Sequence, residues 1–251
     1  MRFYYAQMSD HKKYILSVRK LNKTFLYSSI KRICKSTKIC SIEEIEAVFS
    51  SLTTFSPLYG GRLFNPKESL SPFHVKMLER KHINLLLPLS NHHFSKAAYE
   101  QTLPLLEKIH KKGNSIAITN DELAFNLRKD FPLFSLKASV IKMIKTHQDI
   151  ENNLKIYDFV TLHPALNDDK SFLGQISAKD KIVLFASARC LYRCPKSICY
   201  ADVSDYNFNS NYQNVVCNCT NKGRKKLVRD LKIFDLSQPE FDGFTYFKII
   251  P

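Results

Sequence analysis

The chain has 251 residues, of which 44% are hydrophobic and 24% are charged, and its formal net charge is +15. It contains no apolar run near the roughly 18 residues that a membrane-spanning helix needs, and it does not open with the apolar core of a secretory signal peptide. We therefore expect a globular, cytoplasmic protein without a membrane segment. The excess of positive charge favours acidic partners such as RNA or an anionic small molecule.

Apolar, β-rich segments alternate with segments of helical character from one end of the chain to the other. Eight of them have the length and composition of buried strands, namely residues 3–6, 45–49, 83–87, 115–118, 133–136, 157–162, 182–186 and 245–250. Strands separated by helices are typical of parallel β/α units. Eight such units predict an α/β fold, a TIM-like (β/α)8 barrel.

Helical patterns fill the intervals between the predicted strands. Residues 99–110 carry apolar side chains on one face, as expected of a helix that covers a sheet. Asn120 is a predicted N-cap, and we expect Leu123, Phe125 and Leu127 to form the apolar face of the helix that follows. Two further helices are predicted, one after residue 139 and one near residue 167.

The interval 187–244 is long, polar and rich in cysteine. Long irregular insertions in a compact domain are more often functional than not. We therefore interpret residues 1–251 as a single barrel domain with a cysteine-rich insertion at about 187–244. The last predicted strand ends close to Pro251, with no helical pattern after it. The barrel is thus expected to be open on that side, or to have the missing helix replaced by a protein partner.

Five of the seven cysteines lie in this insertion, directly after a predicted strand: Cys190, Cys194, Cys199, Cys217 and Cys219. Thiolates that converge in one loop are preferred ligands of zinc and of iron–sulfur centres. The spacing matches neither a zinc ribbon nor a bacterial ferredoxin. The residues alone therefore leave open a metal site of either kind, or cysteines buried as small hydrophobic side chains.

Active sites of TIM-like barrels lie at the C-terminal ends of the strands, where several polar residues of this chain are expected. His163 titrates near neutrality and is a candidate acid or base, although a structural histidine at a strand end is the alternative. Arg62, in a glycine-flanked turn, is a candidate for contacting an anionic substrate. Asn167 is a third candidate catalytic residue, and Asn91 and Ser139 are candidate substrate-binding residues.

The densest basic run contains Arg224, Lys225 and Lys226. It is the best candidate for contacts to nucleic-acid phosphates, although a solvated basic surface is the alternative. Cys34 and Cys40 lie in another basic segment and are interpreted as incidental to any metal site. The chain contains no P-loop, dinucleotide fingerprint or Ser-His-Asp order.

Several segments together resemble one known family. They include Cys190-Leu-Tyr-Arg-Cys194-Pro195, the turn at residues 59–62, the strand ends at 87–91, 136–140 and 160–167, and the terminal strand at 244–250. In this order they resemble peptidase family U32, the collagenase-like peptidases, and its short single-barrel relatives. The similarity covers roughly residues 45 to 250.

The resemblance implies a TIM-like barrel and more than one kind of chemistry. Some members of the family are described as peptidases. Others support oxygen-independent hydroxylation of ubiquinone precursors or of RNA bases, and hold a four-iron cluster through four cysteines. We therefore expect a [4Fe–4S] cluster, with zinc as the alternative, and hydroxylation of an RNA or of an anionic small molecule. A non-catalytic accessory or nucleic-acid-binding subunit is the second hypothesis, and a peptidase is the third.

Overall fold

The computed structural model describes residues 12–194, 199–209 and 230–251. Within these residues, eight parallel strands form a closed ring. In ring order they are β1 (Lys13–Ser17), β2 (Ile45–Phe49), β3 (Asn84–Leu89), β4 (Ser115–Ile118), β5 (Ser135–Ala138), β6 (Phe159–Thr161), β7 (Ile182–Ala188) and β9 (Tyr246–Ile249). The short strand β8 (Lys232–Ile233) pairs antiparallel with β7. The predicted TIM-like barrel is confirmed, and its ring is closed, so the expectation of an open barrel is wrong.

Helices connect the strands on the outside of the ring. In the described part of the chain they are α1 (Leu26–Thr37), α2 (Pro72–Glu79), α3 (Lys96–Ile109), α4 (Asp121–Asp130), α5 (His147–Leu154), α6 (Lys170–Gly174), α7 (Cys190–Arg193) and α8 (Cys199–Phe208). Short 3-10 turns occur at Pro66–Glu68, Val140–Lys142, Pro164–Asp168, Lys179–Lys181 and Pro239–Phe241. None of the helices in these residues has the length and apolar character needed to cross a bilayer.

The first barrel strand is not the one that the sequence pattern indicated. The predicted strand at 3–6 lies outside the described residues, and β1 occupies Lys13–Ser17. In β1, Tyr14, Ile15 and Leu16 are all buried, because Ile15 faces the interior of the ring while its neighbours face the helices. The sequence pattern did not indicate this strand because Lys12 and Lys13 directly precede its three apolar residues. The other seven predicted strands overlap observed ones.

The predicted helix after Asn120 is confirmed in position and in its cap. The Asn120 side chain accepts a hydrogen bond from the backbone N–H of Leu123 at 3.1 Å. Leu123 and Leu127 are buried, but Phe125 is 61% exposed, so its assignment to the apolar face is wrong. Residues two apart on a helix point in different directions. The helix expected directly after residue 139 is a 3-10 turn that ends at Met143 in a left-handed conformation.

Alternate residues of the strands fill the interior of the ring. Ile15, Ala47, Leu86, Ala117 and Val183 form an apolar cluster there, each no more than 5% exposed. Such layers of inward-facing side chains are how a closed barrel of eight strands is packed. The interior also holds two buried lysines, Lys137 and Lys248, whose ammonium nitrogens lie above aromatic rings.

The outer face of β9 is covered by residues of the same chain. Phe247 and Ile249 on this face are fully buried. The Phe247 ring lies 6.0 Å from the ring of Tyr14 and 6.4 Å from that of Phe241, measured between centroids. Residues 234–241 thus take the place of a final helix over this strand. Burying this face does not require a second protein, and the protein partner stays a prediction.

The loop that carries Arg62 lies directly against the end of β3. The Gly60 N–H donates to the carbonyl of Pro88 at 3.4 Å, and the Asn91 N–H donates to the carbonyl of Leu58 at 3.1 Å. A Cβ atom on Gly60 would lie 2.1 Å from the backbone oxygen of Ser90. Only glycine therefore allows the loop to approach the strand this closely.

We expect Gly60→Ala to destabilise the fold by about 1–3 kcal/mol, because the backbone of β3 must move to make room for the methyl group. Urea unfolding measures the effect. Gly174→Ala is the matched control, since a Cβ there meets no atom within 4 Å. Equal unfolding midpoints for the two variants would contradict the close approach.

Candidate functional site

A cavity opens at the mouth of the barrel, at the C-terminal ends of the strands. It holds about 150 Å3 of water-accessible space. Residues at or just beyond the ends of six strands line it, namely Ser17, Phe49, Ser90, Ser139, Ala188 and Ile250. TIM barrels assemble their active sites at this end of the ring. The cavity is therefore the candidate functional site.

The lining of the cavity has one sign of charge. Among the described residues that line it, none is Asp or Glu, whereas four are basic: Arg19, Arg62, Arg189 and Lys248. A cleft lined by charges of one sign and by low-dielectric walls concentrates ligands of the opposite sign. The cavity is suited to an anion.

Two of these basic side chains are held by the surrounding structure. Arg19 forms an ion pair with Glu68 and donates to the carbonyl of Leu63 at 2.8 Å. Arg189 donates from Nε to the carbonyl of Pro251 at 2.7 Å. The charge of Arg19 is thus neutralised by a carboxylate. Arg189 connects the residues that follow β7 to those that follow β9.

Arg62 lies beside the cysteine-bearing wall of the mouth. Its Nη2 atom is 3.9 Å from the sulfur of Cys190. The Arg62 residue is exposed overall. Desolvation of its guanidinium by the neighbouring chain would lower the pKa of Arg62, but the electrostatic influence of Tyr200, Cys190 and Cys199 raises it. Burial raises the pKa of Tyr200. Arg62 acts in the opposite direction and lowers this pKa, whereas Cys190, Cys199 and Cys194 raise it further.

These three thiols do not form a finished ligand set. In the ranges that the structure describes, no group of three or more His, Cys, Asp or Glu side chains could hold a metal ion. The described cysteines, including Cys190, Cys194 and Cys199, form no disulfide with one another. The other two predicted ligands, Cys217 and Cys219, lie outside the described residues. The sulfur donors suit iron–sulfur or zinc chemistry, and the metal centre stays a prediction.

His163 lies outside the set of described residues that line the cavity. Its Nδ1 accepts a hydrogen bond from the backbone N–H of Ala165 at 3.2 Å and so caps the 3-10 turn Pro164–Asp168. Its Nε2 is buried beside the backbone of Leu191 without completing a hydrogen bond. Burial, together with the nearby Lys145, lowers the pKa of His163, so the ring is neutral at pH 7. A structural cap explains its position; its catalytic role stays a prediction.

Asn91 is buried, and its side chain connects three segments. Its Nδ2 donates to the carbonyls of Pro57 and Ser204, each at 2.9 Å, and to that of Tyr59 at 3.4 Å. Its Oδ1 accepts from the N–H of His93 at 2.9 Å. With its polar atoms engaged in this way, Asn91 ties β3 to the Arg62 loop and to α8. These bonds explain its position, and its substrate-binding role stays a prediction.

The two remaining strand-end candidates have different surroundings. Asn167 is buried away from the cavity lining and donates to the carbonyl of Phe185 at 2.7 Å. Its Oδ1 atom is buried without a hydrogen bond. Ser139 does line the cavity, and its hydroxyl accepts from the N–H of Ile141 at 3.4 Å. Arg62 and Ser139 therefore share the mouth cavity with Cys190, whereas Asn167 does not.

Helix α8, which the sequence patterns did not indicate, builds part of the site. Asn207 donates to the carbonyls of Tyr59 at 2.9 Å and Arg62 at 3.1 Å. The hydroxyl of Ser204 lies 2.9 Å from Nδ1 of His92. These bonds hold α8 across the mouth, so that Tyr200 lines the cavity. The apolar residues of α8 are not concentrated on one face of the helix, and its attachment is polar, so it carries no periodic apolar signal.

Lys248 is the second feature that strand-end reasoning missed, because it lies within a strand instead of after one. A lysine inside an apolar run that is predicted to be buried is the signal that could have found it. The basic run at Arg224, Lys225 and Lys226 lies outside the described residues. Its contact with nucleic acid stays a prediction.

The fold and the mouth cavity define a TIM-like barrel with a basic site on its C-terminal face. No protein-family model matches the sequence, and neither does any curated protein. The solved structure of the U32 peptidase Mk0906 is similar over 96% of this chain and 92% of that one, with a TM-score of 0.63 and 11% identity. At this identity the match shows a shared barrel fold. It supports the U32-like architecture, and the hydroxylation branch of the family stays a prediction.

We expect Asn91→Asp to destabilise the protein by about 2 kcal/mol or more, because a carboxylate would face three backbone carbonyls. Asn126→Asp is the control, since the Asn126 side chain bonds only to the carbonyl of Glu122 on its own helix; its expected cost is about 0.5 kcal/mol or less. Urea unfolding compares them. An Asn91→Asp variant of normal stability that fails to bind an anion would instead support the substrate-binding role.

Proposed function

We propose that the protein is a TIM-barrel enzyme that binds a small anionic substrate at the barrel mouth, beside a cysteine-ligated metal centre. The observation that carries the proposal is the lining of the mouth cavity, which among the described residues has four basic side chains and no acidic one. Arg19 is paired with Glu68 and the pKa of Lys248 is lowered, so Arg62 and Arg189 are the fixed positive groups among these four. In a partly dry site, such groups attract an anion more strongly than they do in water. Arg62 presents the planar guanidinium that suits a carboxylate or phosphate.

The size of the cavity favours a small molecule over an RNA base. Its volume is about 150 Å3. A protein cavity of this size can hold benzene, which has about six non-hydrogen atoms. A purine is larger than this, and would also have to be flipped out of its strand to reach the cavity. An RNA substrate is the alternative, and the net charge of +15 is its support.

For the metal centre we propose Cys190 and Cys194 as ligands, completed by Cys217 and Cys219, with Cys199 as an alternate. The support is that Cys190 and Cys194 follow directly after β7, and that Cys190 lines the mouth cavity. A cationic neighbour compensates the negative charge that thiolates bring to a site, and Arg62 lies beside Cys190.

The preferred centre is a [4Fe–4S] cluster, with zinc as the alternative, because the sequence resembles cluster-bearing relatives. When bound, a cluster would supply electron transfer next to the substrate. The residues of the chain would do the remaining work. Arg62 would orient the anion, and Tyr200, whose pKa is raised by burial, would stay protonated and donate a hydrogen bond. Oxygen-independent hydroxylation is the reaction that we propose for this arrangement.

We propose the cytoplasm as the compartment of this activity. The five cysteines in the described residues form no disulfide with one another. The sulfurs of Cys34 and Cys40 lie 3.7 Å apart without a bond between them. Free thiols of this kind suit a reducing compartment.

An accessory or nucleic-acid-binding subunit is the second candidate function, and the net charge of +15 favours it. Polyanion binding through a basic surface falls steeply with salt, whereas binding of a small anion in a partly enclosed cavity is less sensitive to salt.

Peptidase activity is the third candidate function. Its support is the barrel fold that this chain shares with the U32 peptidase Mk0906. A fold alone does not establish chemistry.

We expect protein purified without oxygen to contain iron and acid-labile sulfide, and Cys190→Ala or Cys194→Ala to lose both. Elemental analysis and the visible absorbance spectrum measure this. Cys40→Ala is the control and should keep the metal, because Cys40 contacts Cys34 on the outer helix α1. Zinc without sulfide would select the alternative centre. A folded protein free of metal would refute the proposed centre.

A further inference from the structure

Lys248 lies inside the barrel and faces the mouth cavity. It is paired with Ile15 of β1 and with Phe185 of β7, and it lines the cavity. The residue is only 7% exposed. Its Nζ atom lies 3.5 Å from the centroid of the Phe49 ring, and within the described residues it has no hydrogen bond or carboxylate partner.

This environment disfavours the charged form of the side chain. Burial of an ammonium group without a counter-ion is costly, and the group loses its proton more easily as a result. Burial lowers the pKa of Lys248 to about 7. At neutral pH a large fraction of the side chain is then a free amine, and a lysine desolvated in an apolar pocket is an activated nucleophile.

Lys137 shows what distinguishes Lys248. It is also buried, at 4% exposure, with its Nζ atom 3.6 Å from the centroid of the Phe159 ring. Burial lowers its pKa to about 8, but Glu46 and Asp158 favour its charged form. Lys137 is also outside the set of described residues that line the mouth cavity. Of the two buried lysines, Lys248 is the one whose pKa no neighbouring carboxylate raises and which borders space for a reactant.

We propose that Lys248 forms an imine with a small carbonyl compound that carries an anionic group. The amine nitrogen attacks the carbonyl carbon and a C–N bond forms. The carbonyl oxygen then leaves as water with the two protons of the amine. Arg62, on the same cavity, binds the anionic group and so brings the carbonyl to the amine. This inference rests on the proposed anion site and names the class of substrate that it takes.

The test is reductive trapping on the intact wild-type chain. The protein is incubated with glyoxylate and cyanoborohydride, and peptide mapping by mass spectrometry locates the carboxymethyl groups. We expect modification of Lys248 to be at least about tenfold faster than that of exposed lysines, which are almost fully protonated at neutral pH. Lys137 in the same protein reports how burial alone affects the rate.

Two variants separate the amine from the anion site. Lys248→Arg keeps a cationic side chain that cannot form an imine, and should abolish the fast phase, whereas Lys137→Arg should retain it. Arg62→Gln should slow trapping of glyoxylate but not of neutral glycolaldehyde. If Lys248 is modified no faster than exposed lysines, or if glycolaldehyde reacts as fast as glyoxylate in the wild type, the inference is overturned.

The trapping experiment and the metal analysis have independent outcomes. A protein that contains iron but does not trap glyoxylate at Lys248 refutes the imine and leaves the metal centre standing. A metal-free protein that traps glyoxylate refutes the metal centre and supports the imine.

Discussion

The site depends on one constraint, which is that the last strand closes the ring. β9 pairs with β7 on one side and with β1 on the other, and so brings the ends of all eight ring strands to one mouth. The closure extends beyond the strand itself, because the Ile250 N–H donates to the Ser187 hydroxyl at 3.0 Å and Arg189 holds Pro251. β9 therefore carries Lys248 into the cavity and fixes the start of the cysteine-bearing segment.

The wall of the mouth is built mainly by polar contacts between side chains and the backbone. Asn91 and Asn207 donate to carbonyls of the Arg62 loop, and both accept backbone N–H groups in return. A buried amide that forms hydrogen bonds with backbone groups favours a single arrangement of the loop. In any other arrangement some of these buried groups would be left unpaired, at a cost in free energy. The closeness of Gly60 to β3 adds a steric limit to the same loop. Arg62 is thus presented by a loop whose position is determined from both sides.

The sequence indicated the barrel well because its strands are short apolar runs separated by helices. It indicated the mouth less well. Asn91 ends a strand, as a ligand-binding residue would, but its bonds to distant carbonyls depend on tertiary contacts with no local pattern. Phe125 looked apolar enough for the core, yet it lies two positions from Leu123 on the helix. Lys248 was not predicted as a site residue because it lies within a strand and not at its end. Its role follows from a cavity that forms only when the ring closes.

The mouth combines groups whose protonation states are set by different surroundings. Electrostatic effects keep the Arg62 guanidinium charged beside Cys190. Burial keeps the Tyr200 hydroxyl protonated, and it lowers the pKa of Lys248 to about 7. A fixed cation, a hydrogen-bond donor and an uncharged amine thus border one small volume. Groups whose pKa values are displaced from their usual range by their environment are characteristic of reactive sites. Lys248 differs from the other buried lysine, Lys137, because it lines the mouth cavity and no described carboxylate pairs with it. An apolar side chain would fill its place at lower cost, so packing alone does not explain this lysine.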